Sequence, residues 1–300
     1  MTRKLFMLIA TTLFASCLLG LVGCGEAPTM EPTKRSVANE SAQSLPLRVT
    51  FVDVGKGDCT LIQSGSEAVL IDTGYQNTAD DVLARLKKDG VNHLDAMIIT
   101  HYDRDHIGGI RTIGEDVDVG TVYLPGYEGG DKNYRSCISS AKELGAPSQS
   151  VTKEVDLSVG SARLAIFPPG VAYVRDTGNG EGNDNDVSLV AALSNGRDSF
   201  LFAGDLEEDG IDAYLKAGHG RFDVLKMPHH GEHASNTDEF LESVRPQFVV
   251  ITDAENDPAS KKTLKLLKSA DAQTYRTSVD GTVVIESDGT GTYEVSTQSE

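Results

Sequence analysis

The chain has 300 residues, 39% of them hydrophobic, with a formal net charge of −18 and a pI of about 4.7. That length and apolar share are enough for one large core or two small ones, and they exclude a wholly disordered chain. The acidic balance disfavours tight non-specific binding to nucleic acid, which needs clustered Lys and Arg. No basic run exceeds two residues, as at Lys87-Lys88 and Lys261-Lys262.

In chain order, Arg3 and Lys4 precede an uncharged stretch from Leu5 through Val22, and Gly23 and Cys24 follow. A positive start, an apolar middle and a small-residue exit predict a secretory signal over residues 1–23. The alternative is one uncleaved anchor helix, because the run sits at the lower length limit for spanning. Leu21-Val22-Gly23-Cys24 resembles the lipobox of bacterial lipoproteins. That resemblance implies lipidation of Cys24 and attachment to the outer face of the cell membrane. Residues 24–46, rich in Pro, Ser, Glu and Thr, predict a flexible tether. The body is residues 47–300.

Within the body, Leu47 to Val54 alternates as a strand, and Gly55-Lys56-Gly57-Asp58 is a turn. Cys59 to Gln63 and Ala68 to Ile71 are short strands. Thr78 to Lys88 has Val82, Leu83 and Leu86 at helical spacing, with Gly90 beyond as a stop. Asp95 to Thr100 reads as a buried strand running into His101. Further on, strands are expected at 121–124, 162–167, 222–227, 248–252, 274–276, 283–286 and 292–295. Helices are expected at 132–144, 206–216, 238–244 and 261–269. Strands 187–193 and 199–203 flank Asn195-Gly196, a hairpin signal. Hairpins mixed with β-α alternation imply an α/β layered domain.

Four potential metal ligands fall within six residues in His101-Tyr102-Asp103-Arg104-Asp105-His106. Such a concentration of carboxylates and imidazoles calls for a positive partner, and a divalent cation supplies it. Asp and His without Cys suit Zn²⁺, Mn²⁺ or Fe. Asp205 ends a second apolar strand, and His229-His230-Gly231 follows a third. His93 and His219 read as caps or solvent-facing residues. Cys59 and Cys137 lack metal-site spacing and are compatible with a disulfide or with two small buried thiols.

The H-x-D-x-D-H segment resembles the H-x-H-x-D-H motif of the metallo-β-lactamase superfamily, in the variant of the ComEC-type competence hydrolase domains. F-V-D-V-G-K-G-D at 51–58, L-I-D-T-G at 70–74, N-D-V-S-L-V at 185–190, G-D-L at 204–206, P-H-H-G at 228–231 and R-T-S-V-D-G-T at 276–282 match in order. Lys56 stands where the family usually has Gln, and Asn256-Asp257-Pro258 where it usually has Gly-His-Pro. The resemblance implies a four-layer αββα sandwich and two divalent metal ions, Zn or Mn. By position, His101 and Asp103 would hold one metal, and Asp105 and His106 the other. Asp205 would bridge them and His230 complete the set. Asp105 would act in catalysis, and His229 would steady the substrate or protonate the leaving group. Asp72, with Asp53, Asp58, Asn185 and Asp186 of the matched motifs, would support the ligands from behind.

The function implied is a metal-dependent hydrolase acting on a phosphodiester. Relatives of this type include DNA-degrading uptake domains and phosphocholine esterases of wall teichoic acid. The charge favours a small or wall-bound phosphodiester over long DNA, since neither Lys56 nor Arg104 makes a basic groove in the sequence. Two other readings are lactone or β-lactam opening on the same fold, and a surface binding protein with a relic metal site.

Overall fold

The computed structural model describes residues 46–176 and 182–299. The chain divides into two units, Met1–Ser41 and Ala42–Glu300, and every described residue lies in the second. The expected signal, the Cys24 anchor and all of the tether but Pro46 lie outside the described residues. Among the described residues no helix is long and apolar enough to cross a membrane.

The first half runs β1 (Leu47–Phe51), β2 (Thr60–Ser64), β3 (Glu67–Ile71), α1 (Ala79–Lys88), β4 (His93–Ile98), α2 (Arg104–Ile107), α3 (Ile110–Asp116), β5 (Asp118–Pro125), α4 (Lys132–Glu143) and β6 (Ser148–Val151). The second half runs β7 (Val155–Val159), β8 (Ala162–Phe167), β9 (Val190–Asn195), β10 (Asp198–Phe202), α5 (Glu208–Ala217), β11 (Val224–Lys226), α6 (Thr237–Val244), β12 (Phe248–Ile251), α7 (Lys261–Ser269) and β13 (Gln273–Arg276). α8 (Thr277–Asp280), β14 (Val283–Ser287) and β15 (Tyr293–Thr297) close the chain.

Two sheets form, in the orders β15-β14-β1-β2-β3-β4-β5-β6 and β13-β12-β11-β10-β9-β8-β7. The alternation of each strand decides which layer its side chains enter. Val49, Phe51, Val69, Ile71 and Ile98 point between the sheets, against Leu164, Phe200, Phe202, Val224 and Val250. Their neighbours Leu61, Leu70 and Met97 pack outward under α1, α3 and α4. Leu201, Leu225 and Val249 pack under α5, α6 and α7. The result is the expected αββα sandwich, with one core between the sheets and one beneath each helical layer.

Several element boundaries differ from expectation. β1 stops at Phe51, and Val52 instead pairs outside the ladder with Cys59. The strand expected from Val187 begins at Val190, because residues 184–187 turn and Ser188 N–H donates to the Asn185 carbonyl. The hairpin turn is Gly196-Arg197, with Asn195 paired to Asp198 and a positive φ at Gly196. α2, α3, β6, β7 and α8 were not expected. β6 is a mostly exposed four-residue edge strand with no apolar run, and α2 and α8 are single turns. His93, at the start of β4, and His219, stacked on Phe167 and Tyr214, are both exposed, in keeping with the solvent-facing reading. Cys59 and Cys137 are free and buried.

Candidate metal centre

β3, β4 and β5 are parallel, as are β10, β11 and β12, so each group releases its chain at one edge. Loops leaving the carboxyl ends of parallel strands are where open α/β sheets place their chemistry. β3 delivers Asp72, β4 delivers His101, β10 delivers Asp205 and β11 delivers His230. The two edges are stitched together: Leu189 N–H donates to the Thr100 carbonyl at 2.8 Å, and Asp205 N–H donates to Ser188 Oγ at 3.2 Å.

Each of three buried histidines has its Nδ1 engaged. His106 Nδ1 donates to Asp72 Oδ2 at 2.8 Å. His230 Nδ1 donates to the Thr252 carbonyl at 2.9 Å. His101 Nδ1 lies 3.1 Å from Thr100 Oγ1 and 3.2 Å from Ser188 Oγ. The opposite nitrogens, Nε2 of His101, His106 and His230, are buried and make no hydrogen bond. They face carboxylates instead. Asp205 Oδ2 is 3.3 Å from His106 Nε2 and 3.1 Å from His230 Nε2, and Asp105 Oδ2 is 3.4 Å from the latter. A buried nitrogen without a hydrogen-bond partner is costly, and Nε2 lone pairs gathered beside carboxylates fit a cation. His101, His106 and Asp205 form one compact group of candidate ligand atoms, and Asp105, His106 and His230 another.

A third group, Asp58, Asp72 and His106, is spoken for. Asp72 accepts from the Thr100 amide, the Thr100 hydroxyl and His106. Asp58 is ion-paired with buried Lys226 and accepts from Thr252 Oγ1 at 2.6 Å. Asp58, Asp72 and Lys226 thus lie behind the cluster and hydrogen-bond or ion-pair with its members.

Charge and burial set the ionisation. Burial alone would lower the His230 pKa, but Asp205 and Asp105 overcome it and push it up to about 9. His106 is likewise raised against its burial by Asp205 and Asp72. Burial would raise Asp105, but the His230 and His106 rings draw it down to about 2. A cation bound among these groups would compete with protons on His106 and His230.

Asp103 sits at the periphery, with a side chain 40% exposed and Oδ2 4.0 Å from His101 Nε2; burial and the charges of Asp184 and Asp105 raise its pKa to about 7. His229 is also peripheral: its Nδ1 is 3.2 Å from Glu207 Oε1, and its Nε2 is 3.5 Å from Asn185 Nδ2. Two expected supports lie elsewhere. Asp53 turns outward between inward-facing Val52 and Val54, and its carboxylate accepts from Gly55 N–H. Asp186 accepts from Glu207 and Gly210 N–H at 3.0 and 2.7 Å, so it caps the start of α5 and acts on the cluster only by fixing the chain after Asp205.

Sequence reasoning missed Ser188, Thr252 and Lys226. Lys226 had a signal: it is the one charge in the apolar strand Val224-Leu225-Lys226-Met227. Backbone strain marks the same place, since Asp72, His229 and His230 have φ of 58°, 45° and 50°. Positive φ in residues other than glycine costs energy and persists where packing over-determines it.

Residues 52–251 match the metallo-beta-lactamase superfamily. The chain belongs to that superfamily. Among curated proteins it is similar to ComE operon protein 3 of Bacillus subtilis, at 25% identity over 257 residues, which covers 78% of this chain and 32% of that protein. It is also similar to Recombination protein 2 of Haemophilus influenzae, at 27% identity over 70% of this chain and 25% of that protein. Competence protein ComA of Neisseria gonorrhoeae is 26% identical over 67% of this chain and 26% of that protein. These matches bear out the resemblance to competence-type domains, although the chain spans only about a quarter to a third of those proteins. Among solved structures, the metallo-beta-lactamase fold protein YhfI from Bacillus subtilis aligns with a TM-score of 0.51 and 13% identity, over 77% of this chain and 95% of its own. CmlA, a diiron β-hydroxylase from Streptomyces venezuelae, gives 0.50 and 16%, over 77% and 52%. At these identities the likeness is one of fold alone.

Proposed function

We propose that the chain is an exported, lipid-anchored, metal-dependent phosphodiesterase. The observation that carries the metal-dependent part is the convergence of three buried, unpartnered Nε2 atoms on Asp205 and Asp105. His101 and Asp103 would hold one divalent ion and Asp105, His106 and His230 the other, with Asp205 within reach of all three histidines. When bound, such ions supply Lewis acidity toward a phosphoryl oxygen and lower the pKa of water. The rest belongs to the protein. Asp72, Thr252 and Ser188 fix the three imidazoles in one tautomer and orientation. Asp105, at 17% side-chain exposure, would accept a hydrogen bond from attacking water and orient it. His229, 22% exposed and steadied by Glu207, is placed to give a proton to the leaving oxygen.

Three things support a phosphodiester over a lactam. The donor set is rich in hard carboxylates, Arg104 stands exposed between two of them, and the curated relatives are named for competence and recombination. Export rests on the charged start and apolar run before Cys24, and is in keeping with those relatives. The test is hydrolysis of bis-p-nitrophenyl phosphate, nitrocefin and a short DNA with Mn²⁺ or Zn²⁺, in wild type and Asp205→Asn. Phosphodiester cleavage that disappears with Asp205→Asn is expected. Turnover of nitrocefin alone would replace the substrate assignment, and bound metal without turnover would point to a binding protein. Fatty-acid labelling that survives Cys24→Ala would remove the anchor.

A further inference from the structure

Beside the metal centre, on the far side of α2, lies a groove of about 690 Å³ lined by Tyr75, Gln76, Arg104, Arg111, Asn133 and Ser136 among others. Its chemistry stands out against the rest of the molecule. The chain carries a net charge of −18, yet the groove has two arginines and no carboxylate among its lining residues. The remaining polar wall is amide and hydroxyl, and an anion there would compete with Glu143 for Arg111. Arg104 is exposed, and among the described residues it makes no ion pair; Arg111 reaches Glu143 at 2.8 Å from an exposed position.

Position ties the groove to the catalytic edge. α2 is one turn long: Asp105 and His106 face the metal centre while Arg104, Ile107 and Gly108 face the groove. Gly108 makes this possible, because a Cβ there would lie 2.3 Å from the Gln76 nitrogen. The Tyr75 ring, which walls the groove, also approaches Gly57 on the side where Asp105 sits. A helix with its side chains is about 10 Å across, a span that one or two repeats of a phosphodiester chain would cover.

We infer that this groove is a second anion subsite, which takes a non-scissile phosphate of the same substrate molecule through Arg104 and Arg111. The substrate class is then a phosphodiester bearing at least one further phosphate, rather than an isolated diester. The inference rests on the phosphodiesterase reading above and extends it. The sequence expectation placed Arg104 in no basic groove; the residue that lines this one with it, Arg111, comes from α3, an element the sequence did not reveal.

The test compares two chromogenic esters on the full chain loaded with Mn²⁺. Thymidine 5′-(p-nitrophenyl phosphate) carries the scissile phosphate alone, and its 3′-phosphorylated form adds a second. The added phosphate is expected to lower KM on the order of tenfold with kcat little changed, as for a charge-assisted hydrogen bond. Arg104→Gln/Arg111→Gln should bring the ratio of the two kcat/KM values back to about one. A ratio that survives in the double variant, or no ratio in wild type, overturns the inference and leaves the hydrolase reading standing. If neither ester is cleaved, the hydrolase reading falls, and calorimetry of thymidine 3′,5′-bisphosphate on metal-free protein decides instead. Salt-sensitive binding lost in the double variant supports the subsite, and equal affinity of the two proteins refutes it. Modulation of the simpler ester's turnover by inorganic phosphate, abolished by the double variant, would assign the groove to a free effector and overturn the substrate assignment.

Discussion

Lys226→Met is the most informative single change. Lys226 is 2% exposed, is ion-paired with Asp58, and places Nζ 3.5 Å from Asp205 Oδ1 and 3.1 Å from the Gly204 carbonyl. Methionine keeps the length of the stem and the packing within β11 but removes the charge. Asp58, itself 4% exposed, is then left buried with only Thr252 as a short donor. Stranding one member of a buried pair costs about 3–5 kcal/mol. For a domain of this size each kcal/mol is worth about 2–4 °C, so thermal unfolding in EDTA should fall by roughly 10 °C. Adding Asp58→Asn should recover a large part of that loss, because the stranded charge goes with it. The deficit should also shrink when Mn²⁺ is added, since a cation beside Asp205 restores positive charge next to the gap. A single variant within about 1 kcal/mol of wild type, or additive losses in the double variant, would show that Lys226 does not neutralise the carboxylates.

Three further outcomes follow from the same geometry. Asp72→Asn should keep the fold, because Asn tolerates the φ of 58°, yet weaken metal retention about 10–100-fold by loosening His106; equilibrium dialysis with elemental analysis measures it. His229→Asn and His230→Asn should separate, the first keeping metal while losing about 10²-fold or more in turnover, the second losing metal, as read by elemental analysis beside an ester assay. Chelation should lower the unfolding midpoint reversibly, since metal present at a hundred times its Kd adds about 2.7 kcal/mol; an unchanged midpoint would mean that the described cluster takes up no cation.

The layers of the fold were legible because short apolar runs bounded by turn residues mark strands buried on both faces, and helical spacing marks helices buried on one. Leu61 and Ile62, or Phe200 and Leu201, divide between two cores as their neighbours require. What escaped was short or polar: α3 buries only Ile110 and Ile113, and β6 buries only Val151. Within the site, ligand-type residues announced themselves by clustering, whereas their supports did not. Thr252 and Ser188 act through a carbonyl and a hydroxyl, groups that carry no compositional signal. Asp53 and Asp186 were matched by motif, but the turn after β1 and a helix cap claim their side chains.

The ligands come from both halves of the sandwich: His101 and His106 follow β4 in one sheet, while Asp205 and His230 follow β10 and β11 in the other. Cations held by ligands from both sheets would act as rivets through the two leaves, so their retention reports the leaves' alignment. Splitting the chain between β6 and β7 would give two fragments that each carry part of the cage, and because β14 and β15 of the second complete the first sheet, metal affinity would return only as the fragments reassemble.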